Sequence, residues 1–122
     1  MSYRTKQIKG KGRGKLLGYP TINFQIPRDL VADEGIYAAM VIINKKIYKG
    51  ALHYGPVPTF NEKEKSLEVF LIDADEKELD RLDGKIIEIE LVKKIRDIKK
   101  FSTVEELSLQ IGWDVEMINS IM

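Results

Sequence analysis

The chain has 122 residues and a mass of 14.0 kDa, with 43% hydrophobic residues, no cysteine, and 20 basic against 19 acidic side chains for a formal net charge of +1. This is the size of one domain around a single buried core, residues 1–122. A disulfide scaffold is excluded, and the near-neutral charge argues against nucleic acid as the main partner. No stretch approaches the roughly 20 apolar residues of a membrane span, and the opening MSYRTKQIKG lacks the apolar run of a leader. The expectation is a soluble, cytoplasmic protein with no membrane partner.

In chain order, a weak strand is predicted over Tyr3–Ile8. The stretch Gly10–Asn23, GKGRGKLLGYPTIN, follows. Before Pro27 the chain carries Arg4, Lys6, Lys9, Lys11, Arg13 and Lys15 and no acid at all. Gly10, Gly12 and Gly14 let backbone N–H groups approach phosphate oxygens, and Lys11, Arg13 and Lys15 add charge. Thr21 and Asn23 supply two oxygen ligands of the kind Mg²⁺ prefers, and their spacing puts both on one face of a strand. Two better-known phosphate loops do not fit. From Gly10 the run is one residue short of a P-loop, with Leu16 where a Ser or Thr is needed. From Gly12 it is one residue too long for a dinucleotide fingerprint, and Pro20 would break the helix behind it. Taken alone, GKGRGK reads equally as a solvated arm.

Gly35–Ile43 and Lys46–Tyr54 are rich in β-branched and aromatic residues and flank Asn44-Lys45, so they predict a hairpin. Leu67–Ile72 is a third strand, and on it Glu68 shares a face with Phe70 and Ile72. Lys85–Val92 alternates, with Ile87, Ile89 and Leu91 on one face, after a turn at Asp83-Gly84. With a weaker strand at Ile95–Lys99 this makes about six short strands, which favours a small antiparallel barrel. Ser102-Thr103-Val104-Glu105 has the form of a capping box, followed by Val104, Leu107 and Ile111 at helical spacing. Gly112 is expected to end that helix. Asp114 is then expected to cap a second short one with Val115, Ile118 and Ile121 or Met122 inward.

The loop and its continuation Leu-Gly-Tyr-Pro-Thr-Ile-Asn-Phe resemble the nucleotide loop of the riboflavin kinase (flavokinase) family, roughly G-x-G-R-G-x-x-L-G-x-P-T-A-N-L. HYGPVPTF at 53–60 resembles N-[IV]-G-x-x-P-T-F, and LEVFLID at 67–73 resembles V-E-x-H-L-L-D. Gly84-Lys85 fits L-Y-G-K, and IRDIKKFSTVEEL at 95–107 fits L-R-x-E-x-x-F-x-S-x-E-E-L. Gln110, Ile111 and Asp114 fall on Q-I-x-x-D. These ordered blocks cover nearly the whole chain.

The resemblance implies a mainly β fold, a six-stranded antiparallel Greek-key barrel with a C-terminal helix. It also implies a kinase that moves the γ-phosphoryl of ATP to the ribityl 5′-hydroxyl of riboflavin, giving FMN and ADP. Phosphoryl transfer needs alignment and charge neutralisation more than covalent help. By the match, Gly10, Gly12, Gly14 and Lys15 cradle the nucleotide, and Thr21 and Asn23 serve both nucleotide and metal, Mg²⁺ or another divalent cation. Glu68 corresponds to the catalytic base, and its setting among apolar side chains readies a carboxylate to accept a hydroxyl proton. Arg96 matches an arginine near the flavin. In bacteria the family's kinase is usually fused behind an FMN adenylyltransferase, so the chain resembles a free-standing kinase or an excised C-terminal half.

His53 stands where the family has Asn, which favours a structural role for it. Pro56, Phe70 and Asp83 also depart from the pattern on the expected flavin side, so nucleotide binding is the firmer expectation. Trp113 and Phe101 could stack a flavin ring, but Trp113 is expected in the core. A non-catalytic flavin- or nucleotide-binding barrel is the alternative reading. A small RNA-binding β-barrel is the weaker one, because the basic arm lacks interleaved aromatics.

Overall fold

The computed structural model describes residues 2–10, 14, 17–75 and 85–122. Its strands are β1 (Ser2–Thr5), β2 (Gln7–Ile8), β3 (Ile22–Phe24), β4 (Gly35–Ile43), β5 (Lys46–Gly55), β6 (Ser66–Ile72) and β7 (Ile87–Arg96). A 3₁₀ turn at Pro58–Phe60 follows β5, and one helix, α1 (Val104–Ile121), closes the chain. The sheet order is β1-β7-β4-β5-β6-β3-β2, antiparallel throughout. β4, β5 and β6 form a meander, and β7 returns to lie beside β4, the Greek-key arrangement.

Lys6 alone separates β1 from β2, yet these strands lie at opposite ends of the sheet order. The sheet must therefore curl until its ends meet. Gln25 N–H donates to the Lys6 carbonyl at 2.9 Å, and the buried Thr5 hydroxyl donates to the Gln25 carbonyl across that seam.

Alternation decides what faces inward. Ile22, Phe24, Tyr37, Ala39, Val41, Leu52, Leu67, Val69, Leu71, Ile87 and Ile89 fill the barrel. The outer face of the same strands carries Ala38, Ala51, Phe70 and Ile72, on which α1 lays Val115 and Ile118. The two alanines leave room for the helix, and full burial of Ile118 contributes about 1.5–3 kcal/mol. Asn44 and Lys45 have φ of 50° and 68°, the two positive values a tight two-residue hairpin turn requires.

Several expected elements differ. The strand over Tyr3–Ile8 is split at Lys6, and the segments predicted over Lys85–Val92 and Ile95–Lys99 are a single strand, β7. Two register shifts against β4 bend it, and residues 97–100 are not strand. With β3 included the sheet has seven strands rather than six.

The helix does not end at Gly112 either: it runs on unbroken, and Asp114 sits inside it. Gly112 is there for space, since a Cβ would lie 2.9 Å from the Tyr19 hydroxyl. The cap is Thr103, one residue later than expected. Its hydroxyl accepts from Glu106 N–H at 3.1 Å, while the Glu106 carboxylate accepts from Ser102 N–H at 3.2 Å. Trp113 is not in the core: it is 60% exposed, on the helix face turned away from the sheet. The Asp83-Gly84 turn lies outside the described residues.

Candidate active site

One cross-strand rung builds most of the site. Register pairs Asn23 with Glu68, Glu68 with His53, His53 with Ile36, and Ile36 with Arg96. Paired residues in antiparallel strands share a face, so these five project outward from the barrel in a row. The row lines a cleft of about 370 Å³ between the sheet's outer face and α1. Gly10, Gly14, Tyr19, Thr21 and Phe70 line it too. The cleft thus brings together Gly10, Gly14, Thr21, Asn23, Glu68 and Arg96 from the predicted set. Gly12 and Lys15 lie outside the described residues.

Glu68 is half-buried and held at both oxygens. The Thr21 hydroxyl donates to Oε1 at 3.2 Å, and the Ser66 hydroxyl donates to Oε2 at 2.9 Å. By spending its proton on Glu68, Thr21 keeps oxygen lone pairs to offer a cation. Asn23 stands beside it because Ile22 and Phe24 take the inward positions of β3. Gly10 passes so close to Asn23 that a Cβ would lie 1.8 Å from Nδ2. At Gly14 a Cβ would meet the Tyr19 carbonyl at 2.4 Å, so glycine is needed there for close backbone approach. The Gly14 carbonyl accepts from Tyr19 N–H at 2.8 Å, and the Ser108 hydroxyl donates to the Leu17 carbonyl at 2.8 Å, tying the loop's end to α1.

Among the described residues no group of three or more His, Asp or Glu could hold a metal ion. The neutral side-chain oxygens of Thr21 and Asn23 are of the kind that suits a hard cation such as Mg²⁺, which keeps waters and takes other oxygens from phosphate. They do not suit a Zn²⁺ site built of His and Cys.

Two residues further along β6 from Glu68, Phe70 meets Tyr19 edge to face at 5.1 Å. With Leu107 and Ile111 this pair gives the cleft an apolar wall. Arg96 is largely committed: its Nε and Nη2 donate to both Asp114 oxygens at 2.8–3.1 Å, its Nη1 donates to the Asp97 carbonyl at 3.1 Å, and Phe101 lies 5.8 Å beneath. Asp114, expected as a helix cap, is instead a buried carboxylate that fastens α1 to β7, and Gln110 also donates to it at 3.0 Å.

His53 places Nε2 3.0 Å from both the Gly55 and the Pro56 carbonyl oxygens. Both are acceptors only, so Nε2 carries the proton. Burial pushes the imidazolium below its ordinary range, against the opposing pull of Glu68 and the two carbonyls. The unfolded chain therefore binds the extra proton more readily. The contribution to stability is fully present above about pH 6.5, the unfolded value, and is lost as pH falls from there through the lowered folded value. Urea midpoints at pH 7.5 and 5 should show this loss, and His53→Gln should flatten it; an equal slope in that variant would assign it elsewhere.

Sequence reasoning missed Ser66, Tyr19 and the pairing partner of Arg96. Ser66 had a signal, its spacing of two from Glu68 on one strand. Nothing local marks Asp114 as the partner of Arg96.

The family model described as Flavokinase: Riboflavin kinase matches residues 1–122. Among curated proteins, a bifunctional riboflavin kinase/FMN adenylyltransferase of Bacillus subtilis is 36% identical over 88% of this chain and 34% of its own length. One from Haemophilus influenzae is 34% identical over 89% of this chain and 34% of its own length. The chain spans about a third of the length of these relatives. A crystal structure described as a macrolide-efflux protein from Streptococcus pneumoniae superposes with a TM-score of 0.80 at 28% identity, covering 97% of this chain and 38% of that one. Among the described residues no helix is long and apolar enough to cross a membrane. With the whole sequence matched and a Greek-key barrel carrying the glutamate, threonine and asparagine in one cleft, this chain belongs to the riboflavin kinase family.

Proposed function

We propose that this chain phosphorylates riboflavin at the ribityl 5′-hydroxyl, using ATP and a divalent cation, Mg²⁺ in the first instance, to yield FMN and ADP. The observation that carries the reading is the Glu68 carboxylate, gripped by Thr21 and Ser66 and flanked by Asn23 in a cleft with an apolar wall. The apolar wall of Tyr19, Phe70, Leu107 and Ile111 suits a flat ring system, and Gly10 and Gly14 border the cleft beside Thr21 and Asn23, where the phosphates would lie. A cation held by Thr21 and Asn23 would neutralise charge on the phosphates. Glu68 accepts the proton of the 5′-hydroxyl as its oxygen bonds to the γ-phosphorus, and the bond from that phosphorus to the bridging oxygen breaks to release ADP. Arg96 borders the flavin side while bound to Asp114. Gly12 and Lys15, which lie outside the described residues, join the nucleotide set by the family match alone.

On this reading residues 1–122 act as one kinase unit in the cytoplasm, with riboflavin and FMN, ATP and ADP as its small-molecule partners. A fused adenylyltransferase, as the relatives' names describe, fits the same route from flavin to dinucleotide. Incubation with riboflavin, ATP and Mg²⁺ should give FMN by chromatography. Binding of both ligands without FMN, with Mg²⁺ or Mn²⁺, would favour a non-catalytic barrel.

Gly10→Ala tests the nucleotide end. The new methyl displaces the Asn23 amide, so affinity for Mg-ATP should fall about tenfold or more while the thermal midpoint moves by only a few degrees. Unchanged Mg-ATP affinity would remove Asn23 from the metal and nucleotide set.

A further inference from the structure

We propose that Ser66 is a positioning residue for the Glu68 carboxylate. This deepens the reading above and rests on Glu68 being the base.

Ser66 opens β6 and, two residues before Glu68, projects from the same face. Its hydroxyl has one proton and two acceptors in reach, Glu68 Oε2 at 2.9 Å and the Gly55 carbonyl at 3.4 Å. The contact to the carboxylate is the shorter by half an ångström and takes the serine proton, and a charged acceptor strengthens it. Gly55 ends β5 opposite Ser66, with its carbonyl in reach of both the Ser66 and the His53 side chains. Its φ is 132°, and a Cβ there would lie 2.3 Å from the Ile98 side chain. With Thr21 on Oε1, both carboxylate oxygens are pinned and the plane of the group is fixed. A base held this way meets the hydroxyl without first reorganising, which matters because small misplacements of a reacting group cost rate steeply.

Steady-state kinetics on the full chain with riboflavin, ATP and Mg²⁺ test this. Ser66→Ala should lower kcat about tenfold, the scale of one hydrogen bond to a charged group, with both KM values within about twofold. Ser66→Thr should recover most of the rate. Ser66→Cys, close in size but a weak donor, should stay slow, which separates hydrogen bonding from packing. In a Glu68→Gln background, adding Ser66→Ala should change kcat by less than about twofold. An undiminished Ser66→Ala effect in that background would overturn the proposal, because the serine would then act independently of the glutamate. Wild-type kcat in Ser66→Ala beside a slow Glu68→Gln would also overturn it, leaving Glu68 as base. Wild-type kcat in Glu68→Gln would overturn both.

Discussion

Asp114→Ala is expected to lower the unfolding free energy by about 3–5 kcal/mol, because it strips a guanidinium of its carboxylate in a poorly hydrated place. The Asp114 side chain is 4% exposed and that of Arg96 20%, so water replaces little of what is lost. Set against total stabilities of about 5–15 kcal/mol for such domains, this is a large fraction, and the thermal midpoint should drop by roughly 10 °C or more. Asp114→Asn keeps the shape and some of the hydrogen bonding and should cost less. Replacing both partners, Arg96→Met with Asp114→Leu, removes the buried charges together and should recover most of the loss. The readout is urea unfolding of the four proteins. A shift below about 1 kcal/mol for Asp114→Ala would mean that α1 is held by Ile118 and its apolar neighbours, with the ion pair incidental.

That pair also marks where sequence reasoning reaches its limit. β4 and β5 were legible because β-branched and aromatic residues crowd both sides of Asn44-Lys45, and β7 because Ile87, Ile89 and Leu91 alternate with polar residues, and these signals are local. Lys6 gives no sign of being a break, because the split between β1 and β2 exists only once the sheet closes on itself. Gly112 was misread for a similar reason. A glycine after a helical stripe usually marks an end, but here it admits the Tyr19 hydroxyl, a neighbour more than ninety residues away in sequence. Asp114 follows such a glycine and so looks like a cap, whereas Arg96 claims it from another element.

Within the site the pattern is the same. Thr21, Asn23 and Glu68 stand out by residue type, spacing and resemblance, and β3 and β6 bring them side by side. The shared face of Glu68, Phe70 and Ile72 is legible from spacing, but that this face lies outside the barrel and under α1 is not, because it follows from Leu67, Val69 and Leu71 taking the interior. The grip of Ser66 and the locked ring of His53 depend on the backbone path at Gly55. No propensity or period encodes the direction of a carbonyl.

Glu68→Gln is expected to lower kcat by roughly 10² or more while leaving riboflavin and Mg-ATP binding close to that of the parent. The substitution keeps the volume of the side chain and one carbonyl oxygen to accept from Thr21 or Ser66, so the two-sided grip is half retained. On the proposed function, what it removes is the ability to take the 5′-hydroxyl proton as the new bond to phosphorus forms. Because the base is needed only when that proton is lost, the deficit belongs in kcat and not in KM, provided chemistry limits turnover. Single-turnover measurement of FMN formation separates the chemical step from product release, and quenching of riboflavin fluorescence reports binding on its own. A near-parental single-turnover rate would show that the hydroxyl is deprotonated elsewhere or only after transfer. A raised KM with kcat intact would instead make Glu68 a binding group for the ribityl chain. Retention of the thermal midpoint in Glu68→Gln completes the test, because Glu68 faces the cleft while Leu67 and Val69 beside it hold the barrel.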